Sequence, residues 1–184
     1  MDLTITAKPA DVLRHECVVC GFFLNERPPK GHCGLVDWRL NGIISKLIKK
    51  GTLSGAFTEK VLITPTFRIP SSKILLFGLG NSTDLTYERV YEAGHNISHT
   101  VTGIDCYDTA FDIPEPGRCN LDVAKMTTAM ISGYIDGFFQ SRSHMKSVSV
   151  CVMGDEPYRD EITLGANQFK VNVKDRVKVM IVEG

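Results

Sequence analysis

The glycine-rich turn Gly78-Leu-Gly-Asn-Ser-Thr83 is where this sequence comes nearest to a binding site. It follows the apolar run Ile74–Phe77 and precedes Thr83, Asp84 and Thr86, any of which can cap a helix. A glycine turn leading into a helix N-terminus presents backbone N–H groups to an anion. Gly78, Gly80, Asn81, Ser82 and Thr83 are therefore the candidate ligand residues, and the ligand would be a phosphate, a nucleotide or another small anion. The third glycine of a dinucleotide fingerprint and the Gly-Lys-Ser/Thr of a P-loop are both missing. A tight turn leaving a buried strand explains the same residues more simply.

Three other constellations carry the right residue types. Cys17 and Cys20 have CxxC spacing, and His15, His32 and Cys33 could complete a zinc site. The apolar run around them reads as a strand, however, and residues three apart on a strand point to opposite faces. His95 and His99 lie four apart on a helix like two ligands of a metalloprotease, but Asn96 stands where the general base would be. They also fall opposite Ala93 and Ile97, on the face expected to meet solvent. Asp105, Asp108, Asp112 and Glu115 could bind a cation or act as paired acids, and only a cleft in which they converge would make them catalytic. No Gly-x-Ser-x-Gly elbow is present. The sequence predicts no catalytic residue, no metal site and no cofactor.

These residues need elements to hold them. Ile74–Phe77 reads as a strand buried on both faces, which implies a central, parallel position. The helix after it spans about residues 84–101, with Val90, Ala93, Ile97 and Val101 inward. Upstream, Leu3 and Ile5 alternate as a strand, Cys17–Leu24 forms a second apolar run, and residues 25–34 read as a loop able to act as a lid. Val36, Leu40, Ile43, Ile44, Leu47 and Ile48 form one helical stripe, with Asp37, Arg39 and Asn41 pointing away and Gly51 ending the helix. Lys60–Pro65 reads as a strand paired with the Ile74 strand in a hairpin, which makes the sheet mixed.

Downstream, a weaker strand lies between Gly103 and Ile113, and Pro114-Glu-Pro-Gly117 breaks the chain. A helix then runs from a cap at Asn120 to about Arg142. Its small residues Ala129, Gly133 and Gly137 would let a neighbouring backbone lie close. Val148, Val150 and Val152 alternate as a strand, a helix spans about 157–169, and Val177, Val179 and Ile181 form a closing strand at an edge. The expectation is one α/β domain over residues 1–184, with three α/β/α layers around a mixed, mostly parallel sheet.

Composition narrows the partners. The chain has 184 residues, 43% hydrophobic and 23% charged, with 21 basic and 21 acidic side chains. With formal charge zero and no basic block, nucleic acid and membrane are not expected partners. No signal-like start and no apolar segment of spanning length is seen, so a cytoplasmic location is expected. The six cysteines then read as reduced, small apolar side chains.

Several stretches together resemble one family, the N-terminal domain of the M17 leucine aminopeptidases, which has a macro-domain-like fold. They are Leu35-Val-Asp-Trp-Arg-Leu-Asn-Gly-Ile-Ile-Ser-Lys-Leu-Ile-Lys-Lys-Gly51, Leu53-Ser-Gly-Ala-Phe57, Ile74-Leu-Leu-Phe-Gly-Leu-Gly80, the Leu85-Thr86 start of a helix with Ala93-Gly94, and the glycine-bearing helix at Ala129–Gly137. The family's two-metal peptidase site lies in a separate C-terminal domain marked by an Asn-Thr-Asp-Ala-Glu-Gly-Arg stretch, and these residues contain no such stretch. The resemblance thus implies a non-catalytic domain that acts by self-association or by binding a protein partner. A module for a small anionic ligand such as ADP-ribose is the alternative.

Overall fold

The computed structural model describes residues 1–141, 147–173 and 180–183. Its strands are β1 (Asp2–Thr6), β2 (Cys17–Phe22), β3 (Lys60–Ile63), β4 (Lys73–Gly78), β5 (Asp108–Asp112), β6 (Ser149–Met153) and β7 (Met180–Glu183). Its helices are α1 (Gly31–Arg39), α2 (Ile43–Lys49), α3 (Tyr87–Gly103), α4 (Val123–Gln140) and α5 (Arg159–Val173). The strands form one sheet in the order β3-β4-β2-β5-β6-β1-β7. Every neighbouring pair is parallel except β3 with β4, the expected hairpin. The closing strand does lie at the edge, although Val177 and Val179 fall outside the described residues.

Alternation along the strands builds two cores. Leu75, Phe77, Val19, Phe111, Val150 and Val152 face one way, toward Val90 and Ile97 of α3, Met130 and Tyr134 of α4, and Phe169 of α5. Ile74, Leu76, Val18, Cys20, Ala110 and Cys151 face the other way, toward Val36 of α1 and Ile44 of α2. This is the expected three-layer α/β/α arrangement, with both faces of the central strands removed from water.

The helix expected over 36–51 is two helices. Asn41 and Gly42 take left-handed backbone angles (φ 56° and 71°), and the chain turns between α1 and α2. Asp37 decides the break. Its buried carboxylate accepts N–H bonds from Ile44 (2.7 Å) and Ser45 (3.1 Å) and the Ser45 hydroxyl (2.5 Å), so it caps a new helix instead of facing solvent. An apolar stripe at 3.6-residue spacing survives such a kink, which is why periodicity alone missed it. The first of these helices also begins at Gly31, inside the segment expected to be a loop.

The long helices start at side-chain caps. Thr86 accepts from Arg89 N–H at α3, and Asp122, not Asn120, accepts from Lys125 N–H at α4. Arg142, the expected end of α4, falls outside the described residues. The small-residue stripe does what its spacing suggested. A Cβ on Gly133 would lie 1.9 Å from the Tyr91 carbonyl oxygen, one on Gly137 2.7 Å from that of His95, and one on Gly94 2.2 Å from that of Met130. Helices α3 and α4 therefore touch backbone to backbone.

Candidate functional site

In an open parallel sheet, ligands bind beyond the carboxyl ends of the strands, where the chain leaves two neighbouring strands in opposite directions. Here that place lies between β2 and β5: the chain leaves β2 toward β4 and leaves β5 toward β6. The residues that follow these strands, together with the N-terminus of α1, converge there.

The crevice is bridged and covered by the protein's own groups. Gly21 of β2 donates its N–H to Asp112 Oδ1 of β5 at 2.8 Å. Above them, Arg118 donates from Nε to Glu26 Oε1 (2.9 Å) and from Nη2 to Glu26 Oε2 (2.8 Å), and both side chains are about nine-tenths buried. The same guanidinium lies 5.3 Å from the centre of the Phe23 ring. Gly31 opens α1 with φ 56°, and a Cβ there would meet Arg118 Nη1 at 2.7 Å and Glu115 Oε1 at 3.0 Å. The neighbouring cleft between Ile113, Glu115, Gly154 and Asp155 is too narrow for a water molecule.

Electrostatics follow from this enclosure. Burial pushes the Asp112 carboxyl above the usual range, and His32, the Gly21 N–H and Arg118 pull it only part of the way back. Glu115 is also raised, by burial first and then by the charge of Asp155. Burial pulls Arg118 down, but its bonds to Glu26 and the charges of Asp112, Glu26 and Glu115 more than compensate and hold it protonated. His32 accepts the Ala10 N–H at Nδ1 (3.3 Å), while its buried Nε2 has no hydrogen-bond partner. The cluster joins loops by charge and carries no activated nucleophile. The nearby thiols of Cys20 and Cys33 are pushed up by burial.

The Gly78–Thr83 turn lies beside this crevice, at the end of β4. Gly78 N–H donates to Glu59 O, Leu79 N–H to Phe22 O, Gly80 N–H to Gly55 O, and Ser82 N–H to Asn25 Oδ1. Asn25 Nδ2 returns a bond to Ser82 Oγ at 3.0 Å. Gly78 is required because a Cβ would fall 2.0 Å from the Ala56 carbonyl oxygen, and Gly80 has φ 74°. Four of the amides that an anion would use are thus engaged within the protein. Thr83 is exposed, and Asn81 donates to Asp84 at 3.3 Å.

The other constellations do not assemble. Cys17 and Cys20 sit in opposite cores, as strand geometry requires, and all six cysteines are free. His95 bonds Gln140 at 3.0 Å and His99 is exposed. Of the four acids, Asp108 pairs with His15 (2.8 Å) and Asp105 bonds the Tyr107 hydroxyl (3.2 Å), both near the amino end of β5. Asp112 and Glu115 lie at the opposite end, so no cleft collects all four. Among the described residues no three His, Cys, Asp or Glu side chains are grouped to hold a metal ion. Sequence reasoning missed Glu26, Arg118 and Asp155, which stand in loops far apart in the chain. The only local signal was the Pro-Glu-Pro-Gly break before Arg118.

Comparison with known proteins bears on the family and the fold. The model of the cytosol aminopeptidase family, N-terminal domain, matches residues 19–147. A probable cytosol aminopeptidase of Alkaliphilus oremlandii is 31% identical over 75 residues, 41% of this chain and 15% of that protein. One from Pseudomonas syringae pv. tomato is 22% identical over 138 residues, 74% of this chain and 27% of that protein. The chain thus spans about a quarter or less of the length of these relatives. Among solved structures, an Oceanobacillus iheyensis macrodomain variant superposes with a TM-score of 0.70 at 11% identity, covering 94% of this chain and 93% of that one. A tomato leucine aminopeptidase variant gives 0.61 at 19% identity, covering 89% and 35%. A Trypanosoma brucei macrodomain in complex with ADP-ribose gives 0.70 at 12% identity, covering 90% and 68%. The fold is that of the macrodomains.

Proposed function

Since the chain belongs to the cytosol aminopeptidase family through its N-terminal domain, we propose that it is a non-catalytic module that works by protein association, with copies of itself or with another protein, and so regulates or assembles its partner. The observation that carries this reading is the Glu26–Arg118 fork across the β2/β5 crevice. A fold that holds a ligand at this point needs an open crevice with unengaged donors, and here the donors and the space are used by the chain itself. A cytosolic location belongs to the same proposal and draws on the names of the relatives. Among the described residues, no helix is long and apolar enough to cross a membrane.

The test has two arms. Purified protein assayed on leucyl amides with added divalent cations is expected to be inactive, and hydrolysis abolished by a chelator would overturn the reading. Light scattering of the protein alone and mixed with a full-length cytosol aminopeptidase is expected to show a complex in at least one case. A monomer in both would also count against it.

The alternative is a small anionic ligand such as ADP-ribose held near Gly78, Gly80, Asn81, Ser82 and Thr83. It draws on the fold shared with the ADP-ribose-bound macrodomain and on the place of this turn at the carboxyl edge. It requires amide bonds to Glu59, Phe22, Gly55 and Asn25 to be exchanged for bonds to the ligand. A rise in melting temperature with millimolar ADP-ribose would favour it.

A further inference from the structure

At the opposite end of the sheet, the surface before β2 and β4 is open and cationic. A depression of about 780 Å³ is lined by Arg14, Arg39, Arg68, Val12 and Phe67, before the starts of β2 and β4. A second, of about 410 Å³, is lined by Trp38, Arg39, Asn41 and Arg68. Arg39 and Arg68 are common to both, so the two adjoin. Arg68 Nη1 is held on the ridge between them by Asn41 Oδ1 (3.0 Å) and Arg39 O (3.4 Å).

Charge and exposure here are unbalanced. Three guanidinium groups face one carboxylate, Asp11, which is buried and already bonded to Arg39 Nε at 2.5 Å. The Phe67 ring is wholly exposed, and its backbone takes φ 57°, a left-handed angle unfavourable for a residue with a side chain. Trp38 is 70% exposed, with the Arg39 guanidinium 5.4 Å from its ring centre. Exposed aromatic rings set between arginines have the composition of interface hot spots.

We propose that these joined depressions dock an acidic peptide segment of a partner protein, its carboxylates on Arg14 and Arg68 and its apolar side chains on Phe67 and Trp38. Arginine forks match carboxylates in pairs, and covering the two rings removes apolar surface from water. The net charge of zero, 21 basic against 21 acidic residues, supplies no long-range field for a nucleic acid. The proposal rests on the association reading above and names its surface.

Trp38 is the only tryptophan in the chain, so its fluorescence reports on this site directly. The probe is a synthetic peptide of glutamates interspersed with leucines, beside its glutamine counterpart and an oligothymidylate. The glutamate peptide is expected to give a saturable blue shift that weakens with salt. The R14E/R68E variant is expected to lose at least about tenfold in affinity, or ~1.4 kcal/mol, with its melting temperature unchanged. If R14E/R68E fails to fold, R14Q/R68Q is expected to show the same loss in smaller degree. Equal binding of the glutamine peptide, tighter binding of the oligothymidylate, unchanged affinity in the arginine variants, or a shift produced by raising protein concentration alone would each overturn the proposal. Complexes that persist in R14E/R68E would sink this surface and leave the association reading standing. Leucyl hydrolysis by the wild type would sink that reading whatever the peptide does.

Discussion

Arg118 grips Glu26 with two parallel N–H···O bonds of 2.9 and 2.8 Å, fastening the loop after β5 to the loop after β2 across the centre of the sheet. Both side chains are nearly out of contact with water. Removing one partner therefore leaves a buried charge without compensation.

Arg118→Met is expected to destabilise the protein by about 3–5 kcal/mol, read as a lower urea midpoint. The double variant E26Q/R118M is expected to lose less than the sum of the two single changes. Strict additivity would mean that the two side chains do not act as a pair.

The break between α1 and α2 makes a prediction whose sign is diagnostic. Gly42 has φ 71° and nothing within 4 Å of a Cβ, so Gly42→Ala suffers only backbone strain. A loss of roughly 1–2 kcal/mol is expected. Were residues 36–51 one continuous helix, the same change would raise stability by about 1 kcal/mol. Thermal unfolding separates the two.

The backbone contact between α3 and α4 predicts a strong asymmetry between glycines. Gly133→Ala puts a methyl group 1.9 Å from a carbonyl oxygen that cannot rotate away, so the helices must part. A cost of about 3 kcal/mol, or failure to fold, is expected. Gly103→Ala, in the last turn of α3 with open space around it, is expected to gain about 0.4–1 kcal/mol. Chemical denaturation of both variants tests the contrast.

Asp112 predicts a pH dependence. Burial raises its folded-state pKa above the ordinary carboxylate value of about 3.9. The folded protein then holds the proton more tightly than the unfolded chain, and that contribution is complete below the ordinary value. It is lost as pH rises through the raised value. Asp112→Asn keeps an oxygen for the Gly21 N–H but cannot ionise. Relative to wild type it is expected to gain stability as pH rises from about 4 toward neutrality, with Glu115 still titrating in the same direction. Parallel stability profiles would refute this.

The sequence made the strands and most helices legible because burial on two faces and on one face leave different periods. Ile74–Phe77 read as a central strand and is one, and strand geometry correctly parted Cys17 from Cys20. The kink at Asn41-Gly42 was not legible, because its cause is a hydrogen-bonding choice by Asp37, whose side chain reads as a solvent-facing polar residue in a one-dimensional pattern. The Gly78–Thr83 turn was found but its state was not. Whether an amide is free for a ligand depends on Glu59, Phe22, Gly55 and Asn25, none of them its neighbour in the chain.

What the amino-acid order determined by itself was therefore most of the elements, the mixed, mostly parallel sheet and the close approach of some backbone to the glycine face of α4, since these depend on local spacing and residue size. Tertiary structure alone decided that the β2/β5 crevice is covered and that the surface before β2 and β4 at the other end is left open and cationic. Both outcomes come from loops brought together over long chain separations, and electrostatic contact depends on distance through space, on which sequence spacing is silent.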